Sequence, residues 1–336
     1  MNPLATPLLG AWLTVWFFWI GTLMGALANV WLHNLTGGKW GETIRGDLER
    51  LARQLPLVSL LALPLAFGID ALYPWAAVAG QGTLRWHGEI AAPAFKSAWL
   101  APVFFAVRAC VYLLVWNALG LLSRKPAFAR SQPFSAFALI VFGFSGGLAA
   151  VDWIMSLMPA WYSSVFGWLV DVGQMLAGMT YATVVAMRRR SPPDAQTCRD
   201  LGNLLLAYVL TWAYLAFSQF LIIWAENLPH EIHWYVVRHT GPWPAVAQLL
   251  AFGMFFAPVA LLLSRRFKET PALLGGLAAA LLLLQLLDTA WLVLPSIDAT
   301  PAQWAWAMPA AIAVAVVIFA VLWRFQRRAE RELGHA

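Results

Sequence analysis

Nine apolar runs dominate the sequence, at approximately 8–32, 55–76, 99–123, 134–158, 163–187, 201–226, 245–264, 272–295 and 303–325. Each is long enough to cross the hydrocarbon core of a bilayer as a helix, which takes about 20 residues. The runs are continuous rather than alternating, so they predict helices and not barrel strands. Proline and glycine inside them, such as Pro64, Gly146, Gly147 and Pro258, are tolerated in membrane helices. Composition agrees. Hydrophobic residues make up 61% of the chain and charged residues 11%, with a mean hydropathy of +0.68, whereas a soluble domain carries roughly a quarter charged residues. Such a chain has too little polar surface to face water, so lipid must be its solvent. The prediction is an all-α, multi-pass membrane protein of about nine transmembrane helices, a single integral domain over 1–336. The opening run is too long for a secretory signal and lacks its basic start, so it is read as a retained helix.

Orientation follows from Lys and Arg, which favour the cytoplasmic side. The connection 33–54 holds Lys39, Arg45, Arg50 and Arg53; 124–133 holds Arg124, Lys125 and Arg130. The connection 188–200 holds Arg188, Arg189, Arg190 and Arg199; 265–271 holds Arg265, Arg266 and Lys268; the tail adds Arg324, Arg327, Arg328 and Arg331. These are every second connection, and the others hold only Arg85, Lys96 and Arg238. The 18-to-three split predicts an outside amino terminus and a cytoplasmic carboxyl terminus in a bacterial inner membrane. It also accounts for the pI of 9.6 without a nucleic-acid partner. Many of the 20 tryptophans, among them Trp75, Trp99, Trp161, Trp243 and Trp304, fall near the ends of runs, as an aromatic belt would.

Five ionisable residues lie inside the runs: Asp70, Arg108, Asp152, Asp171 and Asp288; Glu226 stands at the outer end of the sixth. A charge at the centre of a bilayer costs about 2.5–3.5 kcal/mol on the lenient insertion scale, so such residues should face the bundle interior, paired or beside water. On the orientation above, all four aspartates fall in the outer half, Asp70 and Asp171 about two turns from the outer surface, with Arg108 nearer the middle. Gln174, one turn from Asp171, and Gln219 in the sixth run add uncharged hydrogen-bonding groups at comparable depth. Two readings follow. In the structural one, Arg108 pairs with one aspartate and the others cap helix ends. In the functional one, the carboxylates converge on a polar region that opens outward and serves a ligand or a proton path. The segment Ser145-Gly146-Gly147 permits close helix approach.

Cys110 and Cys198 form neither a disulfide framework nor a metal or haem motif. None of the six histidines lies inside an apolar run, with His33 at an inner edge, so a membrane haem with histidine ligands is not expected. His230, Glu231, His233 and His239 share an outer connection, where a solvated surface is the simpler reading than a metal site. No bound cofactor is expected for this chain alone.

Residues 149–164, AAVDWIMSLMPAWYSS, and 201–239, LGNLLLAYVLTWAYLAFSQFLIIWAENLPHEIHWYVVRH, resemble the ActF-type subunit of alternative complex III, the bacterial quinol:cytochrome c oxidoreductase. That subunit belongs to the NrfD-like group of membrane proteins. The stretch NLTGGKWGETIRGDLE and Tyr73-Pro74-Trp75 fit the same pattern, and the resemblance covers most of the chain loosely between these anchors. It implies two four-helix bundles, about 8–158 and 163–295, with a peripheral helix at about 303–325. The family commonly has ten spans, and losing the first of ten would give nine and an outside amino terminus. The resemblance further implies a non-haem subunit that contributes to assembly and to a proton path or the environment of a quinone site on the outer side. Its implied partners are other membrane subunits, iron–sulfur and multihaem cytochrome subunits, the quinol pool and lipid, with quinone bound in the complex. Asp152 lies in the segment of strongest resemblance and is therefore the first candidate for proton exchange. The competing hypotheses are a free-standing proton-coupled transporter and a purely structural scaffold subunit.

Overall fold

A computed structural model describes residues 4–77 and 93–333; Arg85 and His87 lie outside the described residues. Every regular element among the described residues is helical, and nine helical stretches are long and apolar enough to cross a membrane. The chain is thus an all-α, polytopic membrane protein. The central helix is α1 (Ala5–Thr36). It packs against α2 (Lys39–Ala52), α10 (Gln132–Trp153), α11 (Phe166–Met187), α17 (Pro271–Val293) and α18 (Pro301–Leu333). Small residues make the tightest of these crossings. A Cβ added at Gly25 would collide with the backbone of Gln174, and one at Gly178 with that of Ala26, so α1 and α11 touch main chain to main chain. Asn29 closes the crossing: its Nδ2 donates to Gly25 O (2.7 Å) and Met175 O (2.9 Å). Its Oδ1 accepts from Tyr208 OH of α12 (Ala195–Glu226) at 2.7 Å.

The connection 33–54 is not a loop. It carries α2, whose Trp40, Ile44, Leu48 and Leu51 are buried while Lys39, Glu42 and Gly46 are exposed. The signal is in the sequence, since those four apolar residues recur at helical spacing. The second apolar run also differs from a single helix. It is broken into α3 (Leu55–Leu60), α4 (Leu63–Phe67), α5 (Ile69–Leu72) and α6 (Pro74–Ala77). Pro56, Pro64 and Pro74 lack the N–H that a continuous ladder needs. Carbonyls at the breaks find partners from α1: Trp16 Nε1 donates to Val58 O (2.8 Å) and Trp12 Nε1 to Leu61 O (3.0 Å). Leu60, Leu63 and Phe67 face outward, as apolar side chains do when the solvent is lipid.

The third span is α8 (Pro102–Leu122), preceded by the short α7 (Pro93–Trp99). The seventh is interrupted by a π-helical turn at Phe252–Phe256, between α14 (Trp243–Ala251) and α15 (Ala257–Leu263). Pro258 lies one turn on and cannot complete a regular ladder. Beyond the sixth span, α13 (Pro229–Val237) carries the chain back over the end of α17.

Candidate functional site

The site-forming residues separate into two neighbourhoods of opposite character. In the first, Asp152 near the end of α10 is 1% exposed and its two oxygens take four donors. Oδ1 accepts from Trp99 Nε1 (2.8 Å) and Arg108 Nη2 (3.0 Å); Oδ2 accepts from Arg108 Nε (2.8 Å) and Tyr112 OH (2.8 Å). Arg108 and Tyr112 stand one turn apart on α8, which places both on the face toward α10. The guanidinium also lies over the rings of Trp99 (4.0 Å) and Phe104 (4.4 Å). A buried ion pair repays its desolvation only when the remaining lone pairs are satisfied, and the carboxylate half of this one is saturated.

In the second neighbourhood, Asp171 on α11 is 3% exposed, and neither of its oxygens has a hydrogen-bond partner among the described residues. Its carboxyl group lies against Gly146 of α10, where any Cβ would strike Oδ1; Gly147 and Gly167 let the two backbones meet beside it. One turn on, Gln174 is buried and both its amide atoms are likewise without partners. Gln174 lines a small cavity with Thr22 of α1 and Gln285, Asp288 and Thr289 of α17. The cavity measures about 20 Å³, room for about one water. Asp288 accepts a long bond from Trp212 Nε1 of α12 (3.3 Å), its one hydrogen bond among the described residues. Gln285 reaches Met254 Sδ in the π-helical turn (4.0 Å).

The remaining expected site residues lie elsewhere. Asp70 is exposed on α5 and Glu226 is exposed at the end of α12. Gln219 is buried but engaged, accepting from Ser163 Oγ at 3.0 Å. Arg108 ion-pairs with Asp152 alone among the described residues. The four aspartates therefore do not gather around one arginine. Among the described residues no three His, Cys, Asp or Glu side chains are grouped to hold a metal ion.

The sequence reading overlooked Arg238, a cation held without an acidic partner among the described residues. It follows α13 and is 2% exposed. It donates to the carbonyls of Trp234 (2.9 Å), Trp291 (3.1 Å) and Leu292 (2.7 Å) and to Ser296 Oγ (3.0 Å). Trp291 and Leu292 end α17, so the guanidinium caps the negative end of that helix, and the face of Trp234 stacks on it at 3.2 Å. Burial pushes this guanidinium well below its ordinary pKa, and the four oxygens oppose that by holding the charge. Charge counting could not find the site, because backbone carbonyls leave no mark in a sequence. No family model matches the chain.

Proposed function

We propose that the chain is a non-haem, multi-pass subunit of a respiratory quinol:cytochrome c oxidoreductase in a bacterial inner membrane. In this reading the amino terminus is outside and the carboxyl terminus cytoplasmic. The spans form two four-helix bundles, with α18 peripheral. The arrangement is supported by the α1–α11 crossing and by an internal echo in the sequence. Leu-Leu-Ser-Arg stands at 121–124 and again at 262–265, and Asp152 and Asp288 each precede a proline, Pro159 and Pro295, by seven residues.

Within that role the two neighbourhoods divide the work. The saturated Asp152 site is an assembly anchor rather than the proton-exchanging group that the resemblance singles out. The proton path or quinone-site environment passes to Asp171, Gln174 and Asp288. The observation that carries this is the pair of buried side chains Asp171 and Gln174, both without partners among the described residues, of which Gln174 lines a water-sized cavity with Gln285 and Asp288. A carboxyl group without a partner needs a proton, a water or a cation from a neighbouring chain, and quinol oxidation releases protons that must leave on the outer side.

The test is extraction of the full-length chain in mild detergent. Multihaem and iron–sulfur subunits should accompany it, and Asp171→Asn or Asp288→Asn should lower quinol:cytochrome c turnover or proton release while the complex still assembles. A chain recovered only as a lone oligomer would sink the respiratory reading and favour transport. An intact complex with full turnover and proton release in both variants would leave a scaffold.

A further inference from the structure

We propose that the crevice beneath α18 holds an acyl chain of an anionic phospholipid of the inner leaflet, with its phosphate against Arg50, Arg53 and Arg324. The assignment to the inner leaflet rests on the orientation proposed above. The crevice has a volume of about 330 Å³ and its walls offer no polar surface. It runs between α1, α11, α17 and α18, and Val15, Trp19, Tyr181, Leu286, Ala315 and Phe319 are among its lining residues. That volume sits at the lower end of the roughly 300–1,000 Å³ typical of small-molecule sites. That volume is too small for a further helix, whose diameter with side chains is about 10–12 Å.

One end of the crevice is basic. Leu51, at the close of α2, lines it and stands between Arg50 and Arg53 in the chain. An aromatic ladder leads from the crevice to this end. Trp19 meets Phe319 edge-on (6.1 Å), Phe319 stacks on Trp323 (6.1 Å), and the Arg50 guanidinium lies over Trp323 at 6.0 Å. Arg53 and Arg324 are exposed, and Arg124 reaches the carbonyl of Ala52 at 3.5 Å. Burial, and then the neighbouring Arg53, push Arg124 below its ordinary pKa. The nearby Asp47 is already shared between Arg50 and Arg189. An apolar slot that ends in arginines at an interface complements a phosphate with a hydrocarbon tail. A quinone fits less well, because its headgroup needs polar contacts. Beyond Phe18 and Thr22, which line both, the slot adjoins the cavity of about 20 Å³, too small for such a headgroup.

The full-length chain, with whatever subunits accompany it, is exchanged into equimolar phosphatidylglycerol and phosphatidylethanolamine, washed in mild detergent, and its retained lipid measured by native mass spectrometry. The wild type should keep phosphatidylglycerol in preference. The double variant Arg53→Gln with Arg324→Gln should lose that preference by about fivefold per arginine removed. Ala315→Phe, which fills the slot and leaves every charge in place, should release the lipid. Val316→Trp, at the exposed lip, does the same if the first variant fails to fold. Equal retention of the two lipids by the wild type, a quinone recovered in place of lipid, or retention untouched by a folded slot-filling variant overturns the proposal. A topology reporter fused after Ala336 separates the two failures. A cytoplasmic tail without lipid selectivity sinks the lipid site alone. An outside tail with selective retention overturns the inner-leaflet assignment, together with the orientation, and keeps the site.

Discussion

Asp152 and Asp171 are both buried aspartates on adjacent, packed helices, and they are opposites. Asp152 takes four donors from two other helices, while Asp171 takes none among the described residues and rests against a glycine. A saturated carboxylate holds elements together, because losing any partner exposes a charge that the interior cannot solvate. A bare one holds nothing and is free to exchange a proton or accept a water. Depth and residue type, which the two share, do not separate these roles. The number of donors does.

The largest effect expected from breaking this comparison is at Arg108. Arg108→Leu leaves Asp152 buried without its cation, a loss on the order of 3–5 kcal/mol, and should appear as poor accumulation and a strongly lowered melting temperature. Adding Asp152→Leu to that variant should restore much of the loss, since apolar replacement of a whole buried pair is often close to neutral. If the double variant melts as low as the single one, the pair is not the unit proposed here.

Next comes Gly146. Gly146→Ala drives a methyl group into the Asp171 carboxyl, and overpacking of this kind costs about 1–3 kcal/mol. Combining it with Asp171→Ala should recover stability, because the collision is with that side chain. Thermal melts of the two variants measure it, and an unrescued double variant would mean that the α10–α11 contact itself cannot spread.

A sharper contrast lies in the two asparagine variants. Asp152→Asn weakens charge-assisted bonds worth about 1.5–3 kcal/mol and should lower stability. Asp171→Asn removes a titratable group that makes no such bonds among the described residues, so it should lower the melt less than Asp152→Asn does while reducing turnover. The opposite ordering of the two melts would dissolve the distinction between anchor and exchanger. The smallest effect is at Asp288: Trp212→Phe deletes its one long bond and should cost about 0.5–1.5 kcal/mol, read by denaturant or thermal midpoint.

Much of the fold was legible. All nine apolar stretches are helical in the structure, with ends shifted by a few residues except in the second, where α2 runs on through α3 and α4. That stretch misled because a hydropathy window does not register proline's missing donor, and because amphipathic α2 averages its apolar and charged faces. The pairing of Arg108 with one aspartate was among the sequence readings, although which aspartate was open. Trp99, Tyr112 and Trp212 were missed as donors. Trp99 ends α7, where an indole reads equally well as an interface anchor; Tyr112 and Trp212 lie in mid-helix, and only their neighbours across the packing show them to be donors.

By itself the sequence determined the solvent and the element type. Sustained apolar runs in lipid must satisfy every backbone group internally, which leaves helices as the only answer. It also singled out Arg108, Asp152, Asp171 and Asp288, all buried in the structure, since a charge inside a span costs too much to be carried without consequence. The tertiary structure alone decided which of those groups are partnered. A hydrogen bond depends on atoms brought within about 3 Å of each other, and the partners of Asp152, Asp288 and Arg238 come from helices separated by many residues of chain. That Asp171 has no hydrogen-bond partner among the described residues is decided in the same way, by the glycines of another helix packed against it.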